Sequence, residues 1–124
     1  MASYLIKELI HRYSIPENSV EEVILGNAIG PGGNLARLSL LDAGLGFEVC
    51  GTTLDFQCGS GLKSINMAAS MIKSGLRDII IAGGSESTSL APNKQYNPMD
   101  KRYGGKDVFF KRAQFSPYSI GDPD

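Results

Sequence analysis

The stretch from Thr52 to Pro92, TTLDFQCGSGLKSINMAASMIKSGLRDIIIAGGSESTSLAP, decides the fold. A short β-prone run leads to Gln57. Cys58-Gly59-Ser60-Gly61 then makes a turn, and a helical pattern follows. The spacing predicts a helix from Gly59 or Ser60 to Ser74, with Leu62, Ile65, Ala68, Ala69 and Ile72 on one face. Gly75 is placed to take the left-handed conformation that stops a helix. Ile79-Ile80-Ile81-Ala82 is apolar throughout, as expected of a parallel strand buried on both faces. It runs into Gly83-Gly84.

The same alternation extends upstream. Ser3 to Tyr13 reads as an amphipathic helix, with Leu5, Ile6, Leu9, Ile10 and Tyr13 at helical spacing. Pro16 and the polar Glu17-Asn18-Ser19 break it. Val20 to Leu25 reads as a strand that stops at Gly26-Asn27, and Gly30 to Asn34 reads as a loop. Asn34 is a candidate cap for a helix whose inner face carries Leu35, Leu38, Leu41 and Leu45, ended by Asp42-Ala43-Gly44. Val49 to Leu54 is the next strand. Strands alternating with helices predict an α/β layer, mostly parallel sheet with flanking helices. The character changes after Pro92, so residues 1–92 are expected to form the α/β domain. Residues 93–124, polar except at Phe109-Phe110, are expected to begin a lid-like excursion.

Composition narrows the function classes. The chain has 124 residues, 42% of them hydrophobic and 20% charged, with a net charge of −1. That balance offers no electrostatic footprint for nucleic acid or an acidic membrane. No apolar run is long enough to span a bilayer, and no apolar segment follows a basic start. A cytoplasmic location is the expectation. Cys50 and Cys58 are the only cysteines, and they lack both zinc-ligand spacing and a nearby histidine. No metal site is expected, and the two are read as free thiols.

Cys58 is the residue with chemistry to offer. A thiol attacks as its thiolate. The N–H groups at a helix start carry partial positive charge, which favours an anion there. The N–H of Cys58 itself is a candidate oxyanion-hole donor. Gly59 and Gly61 leave room for a substrate to approach. Phosphate binding by Gly59-Ser60-Gly61-Leu62-Lys63 is the competing reading, but the run lacks the third glycine of a dinucleotide fingerprint and the spacing of a P-loop. Cys50 reads as structural, His11 as a solvated histidine of the first helix, and Glu86 as a satisfied carboxylate or an acid–base group.

These residues resemble the thiolase family. Cys58-Gly59-Ser60-Gly61-Leu62-Lys63 is similar to its nucleophile motif. Ala82-Gly83-Gly84-Ser85-Glu86-Ser87, followed by Ala91-Pro92, is similar to its Ala-Gly-Gly-Met-Glu-Ser segment and the lead into the lid loop. Gly26-Asn27 and Asn34-Leu35-Ala36-Arg37 match its upstream pattern. The resemblance implies part of the N-terminal half of an α-β-α-β-α fold. It also implies acyl transfer between a cysteine thioester and coenzyme A, in the formation or cleavage of acetoacetyl-CoA or another 3-ketoacyl-CoA. Cys58 would be the nucleophile and its N–H would serve the oxyanion. Coenzyme A thioesters would be the substrates, and the helix after Cys58 would lie near a dimer interface of a homo-oligomer.

Against that pattern, the first strand, the Gly-His-Pro histidine and the second cysteine are missing, and Asp55 stands where the family usually has asparagine. The expectation is therefore a truncated chain that is catalytically inactive alone. A non-catalytic module that self-associates or pairs with a complementary half is the alternative. A fragment of a ketoacyl-synthase-like condensing enzyme is a further one. Cofactor-contacting residues are not assignable from the sequence. Cys58 is expected to react with iodoacetamide faster than Cys50.

Overall fold

The computed structural model describes residues 1–30, 32–92, 94–95, 97–99 and 109–110. In chain order the elements are α1 (Ala2–Arg12), β1 (Glu22–Gly26), α2 (Leu35–Asp42), β2 (Cys50–Leu54), α3 (Ser60–Lys73) and β3 (Ile80–Gly84). Single 3-10 turns span Glu17–Ser19 and Thr88–Leu90. Two compact units result. The first is Met1–Ala28 with Gly32–Glu86, and the second is Ile29–Pro31 with Ser87–Asp124. In the second unit β4 (Lys94–Gln95) pairs antiparallel with β5 (Phe109–Phe110). The lid-like reading of residues 93–124 falls largely outside the described residues.

The first unit is an α/β layer built on a parallel sheet of order β2-β1-β3. Glu22 stands opposite Cys50 and Ile80, and Gly26 opposite Leu54 and Gly84. β1 is the central strand and is buried along its whole length. β3, expected to be buried on both faces, is only half-buried, because among the described residues it lies at the edge. The doubly buried apolar run is Val23-Ile24-Leu25 instead. The strand predicted from Val20 begins at Glu22, yet Val20 is buried beside it.

Side chains alternate across a strand, so the two faces of β1 differ. Val23 and Leu25 join the main core with Ile6 of α1, Ala36 and Leu40 of α2, and Ala43, Leu45 and Val49. α2 starts where Asn34 predicts, with the Asn34 side chain accepting a hydrogen bond from the Arg37 N–H at 2.9 Å. The Arg37 guanidinium donates to the carbonyls of Val49 (2.6 Å) and Phe47 (3.0 Å), which ties α2 to the start of β2. The inner face of α2 is Ala36, Ser39 and Leu40 rather than Leu35, Leu38 and Leu41. Leu35 and Leu41 are partly buried against the core, and Leu38 faces out. Small residues let the α2 backbone approach the sheet closely. On α1, Ala2, Ile6 and Ile10 turn inward, while Leu5, Leu9 and Tyr13 are exposed.

Glu22, Ile24 and Gly26 point to the other face, where α3 packs on β1 and β3. A Cβ on Gly26 would sit 2.6 Å from the carbonyl carbon of Ser60, so glycine is what lets the start of α3 reach the end of β1. The buried stripe of α3 is Ser60, Ser64 and Ala68. Leu62, Ile65 and Ile72, expected with Ala68 and Ala69 on a shared face, are 66%, 52% and 44% exposed. The sheet takes the small residues and leaves the large apolar ones outward. Gly75 follows with φ +72°, the left-handed stop its position predicts.

Candidate active site

All strands of the parallel sheet end on one side, and the chemistry-bearing residues gather there. The connection from β1 to β2 carries α2 on one face, and that from β2 to β3 carries α3 on the other. The direction in which successive strands are added therefore reverses across β1. In open α/β sheets the crevice at such a switch point, outside the carboxyl ends of the strands, is where ligands bind.

Cys58 stands in the turn between β2 and α3, two residues before the first helical residue, and is exposed. The turn is tightly tied. The Asp55 carboxylate accepts from the Gln57 N–H at 2.9 Å. The Gly59 N–H donates to the Phe56 carbonyl at 3.1 Å, and the Ser60 N–H donates to the Gln57 carbonyl at 3.1 Å. Gln57 adopts φ +51°, a left-handed conformation rare for a residue with a side chain. The cap position, Gly59, contributes no side-chain hydrogen bond to the first-turn N–H groups. Lys63 lies over the Phe56 ring, its Nζ 5.5 Å from the centroid.

The ends of β1 and β3 meet beside this turn. The Ser85 N–H donates to the Gly26 carbonyl at 3.1 Å, and the Asn27 N–H donates to the Leu54 carbonyl at 3.0 Å. The Asn27 amide donates to the Ser85 carbonyl (2.8 Å) and to Glu86 Oε1 (3.2 Å). The Ala28 N–H donates to Glu86 Oε2 at 2.8 Å. Glu86 is thus an engaged carboxylate that joins the two strand ends. The Ser64 hydroxyl, fully buried, lies 2.7 Å from the Gly61 carbonyl and 2.6 Å from the Gly83 carbonyl, anchoring α3 to β3.

His11 is exposed in the last turn of α1. Cys50, expected to be structural, is exposed at the edge strand, with Arg77 Nη2 3.8 Å from its Sγ. Among the described residues the sheet ends at β2, which leaves this thiol exposed beside the guanidinium. Glu22 is buried beneath α3, where it accepts from the Thr52 hydroxyl (2.7 Å) and pairs with Arg77 Nε at 3.6 Å. No group of metal-ligating side chains occurs among the described residues, and no helix there is long and apolar enough to cross a membrane.

Sequence reasoning located Cys58 and the glycines, but not the left-handed Gln57, the Ser60 hydroxyl or the partnership of Asn27 with Glu86. The first two depend on a left-handed backbone that a glutamine does not announce, since a residue with a side chain rarely adopts it. The last joins residues 59 positions apart. The Gly-Asn and Gly-Gly-Ser-Glu runs were its only trace.

Comparison with known proteins agrees with this geometry. Residues 1–113 match the family model "Thiolase, N-terminal domain". The chain is 52% identical over 108 residues to the Bacillus subtilis protein named "Putative acetyl-CoA C-acetyltransferase YhfS", covering 87% of this chain and 25% of that one. It is 46% identical over 112 residues to VraB of Staphylococcus epidermidis, which carries the same enzyme name, covering 90% and 29%. Among solved structures, the Bacillus anthracis acetyl-CoA acetyltransferase superposes with a TM-score of 0.74 at 31% identity, over 85% of this chain and 27% of that one. The Acat5 thiolase of Ascaris suum, solved with coenzyme A, superposes with a TM-score of 0.76 at 33% identity, over 89% and 29%. The chain therefore spans between a quarter and a third of the length of these proteins. With the α/β layer, the cysteine turn and the family match in agreement, the chain belongs to the thiolase family, of which it carries N-terminal sequence.

Proposed function

We propose that this chain carries the acyl-accepting part of an enzyme that moves acyl groups between coenzyme A and a cysteine. The Cys58 thiolate attacks the thioester carbonyl of an acyl-CoA, and its N–H supports the oxyanion that forms. The carbon–sulfur bond to coenzyme A breaks, the coenzyme leaves as its thiolate and takes up a proton, and the acyl group stays on Sγ. A second acceptor then removes it. In the formation direction the carbanion of a second acyl-CoA takes the acyl group from Sγ. In the cleavage direction Cys58 instead attacks the 3-keto carbon of a 3-ketoacyl-CoA, the C2–C3 bond breaks, and the acetyl-CoA carbanion takes up a proton and leaves. Coenzyme A then takes the acyl group from Sγ. The observation that carries this reading is the exposed Cys58 at the strand–helix turn, in a chain of this family. The coenzyme A bound to the Ascaris suum thiolase supports the substrate class.

The acylation half is tested by incubating the chain with acetyl-labelled acetyl-CoA and mapping the label. Label on Cys58 that is absent from Cys58→Ala is the expected result, and no label on Cys58 would defeat the reading. Acylation of Cys58 from an acyl-carrier protein in preference to acyl-CoA would favour a ketoacyl synthase instead. Full turnover needs a base, and the only histidine of the chain, His11, stands on α1 away from the turn. With acetoacetyl-CoA and coenzyme A, no Cys58-dependent acetyl-CoA is expected from the chain alone.

A second reading rests on the outward apolar residues of α3, Leu62, Ile65 and Ile72. In it the chain is an association module, pairing with itself or with a complementary thiolase half. Light scattering coupled to size exclusion decides it, and a well-folded monomer at high concentration would count against it. Homo-oligomeric assembly and a cytoplasmic location complete the proposal.

A further inference from the structure

Ser60 is 6% exposed, and its hydroxyl both accepts from and donates to the turn that carries Cys58. It accepts from the Phe56 N–H at 2.8 Å and donates to the Gln57 carbonyl at 2.6 Å. The two bonds grip the peptides on either side of Phe56-Gln57. Between them lies the left-handed Gln57, φ +51°, a conformation that costs free energy for a residue with a Cβ and persists only where its surroundings impose it. The peptide joining Gln57 to Cys58 is trans and planar, so its C=O and N–H point in opposite directions. With the carbonyl drawn toward Ser60 by both the hydroxyl and the Ser60 N–H, the Cys58 N–H points away from the first turn of α3.

We infer that Ser60 is a positioning residue for Cys58: its hydroxyl holds Gln57 left-handed and so sets the direction of the Cys58 N–H and the placement of its thiol. The rest of the surroundings fits a fixed seat for this hydroxyl. A Cβ on Gly26 would overlap the Ser60 carbonyl carbon and Cβ at 2.6 Å, so Ser60 sits in close contact with the end of β1. Alanine would keep the packing and remove the clamp. Threonine would keep the hydroxyl. The inference rests on the reading of Cys58 as the reactive thiol, but not on the identity of the acyl donor.

The test uses the whole chain and iodoacetamide, with the alkylation of Cys58 and Cys50 followed separately by peptide mass spectrometry. Both thiols are exposed, so Cys50 is an internal control for general loosening. The expected result is a Cys58-to-Cys50 rate ratio that falls at least about threefold in Ser60→Ala and recovers in Ser60→Thr. Gln57→Val leaves the hydroxyl in place and opposes the left-handed conformation through its branched Cβ, so it should lower the ratio too. It carries the test if Ser60→Ala does not fold. A ratio that stays the same or rises in these variants, or that threonine fails to restore, overturns the inference. A Cys58 that shows this alkylation pattern yet takes no label from acetyl-CoA would defeat the acyl-transfer reading alone.

Discussion

The two faces of the parallel sheet are built on different principles. On the α1–α2 side, large aliphatic side chains from strand and helix interlock: Val23 and Leu25 of β1 meet Ile6, Leu40, Leu45 and Val49. On the α3 side the strand offers Ile24 and Gly26, while the helix presents the small residues Ser60, Ser64 and Ala68, so hydroxyl groups stand where α2 supplies aliphatic knobs. The first face is held mainly by area removed from water; the second adds close backbone approach and directed hydrogen bonds to the burial of Ile24. The difference suits their tasks. A hydrophobic interlock tolerates small rotations of a helix. A reactive turn requires the helix start to be fixed in position, which short contacts and hydroxyl bonds accomplish.

Replacing one leucine in each of the two helices, α2 and α3, gives the sharpest contrast. Leu40→Ala should cost about 3 kcal/mol, because it opens a cavity among fully buried neighbours. Leu62→Ala, on the outward side of α3, should change stability by less than about 0.5 kcal/mol. Denaturant midpoints of the two variants measure this directly. Equal losses would mean that α3 is packed as tightly as α2 and would break the comparison. Next in size is Gly26→Ala, expected to lose about 2 kcal/mol by pushing the start of α3 off β1. Its signature is a change in Cys58 alkylation alongside the lost stability, which Leu40→Ala should not share while the chain stays folded.

Ser64→Ala removes the fully buried hydroxyl between the Gly61 and Gly83 carbonyls and should cost about 1 kcal/mol. Ser64→Val at a site that holds mainly by hydrophobic area would be harmless or stabilising. If it is, the description of this face as hydroxyl-bonded fails. The smallest effect belongs to neither face. Glu21 stands just before β1 and accepts hydrogen bonds from the Asp78 and Ile79 N–H groups. Those bonds, helped by the Arg77 charge and opposed by desolvation, hold its carboxyl below the ordinary 4.5. A lowered folded-state value stabilises above the unfolded value and loses that contribution as pH falls through the folded one. The stability difference between the chain and Glu21→Gln should therefore be largest near neutral pH and shrink on acidification below 4.5. A difference independent of pH would remove the charged carboxylate from the account.

Local sequence carried much of this protein. The order of helices and strands followed from apolar periodicity, the start of α2 from Asn34, the end of α3 from Gly75 and the cysteine turn from Cys58-Gly59-Ser60-Gly61. Each of these is a property of neighbouring residues, so a linear reading finds it. What the helices bury did not follow. Leu62, Ile65 and Ile72 form a plausible inner face by spacing, yet the sheet selects Ser60, Ser64 and Ala68. Periodicity reports that an apolar face exists and not which surface receives it. The demand for small residues came from Gly26, 34 positions before Ser60, and only the folded chain brings those two backbones together. The same holds for Glu86 on Asn27, 59 positions apart. Tertiary structure decided these because each rests on distances that residues remote in sequence impose on one another. The Ser60 clamp on Gln57 spans only three residues, yet it rests on a left-handed backbone angle that the residue types do not reveal.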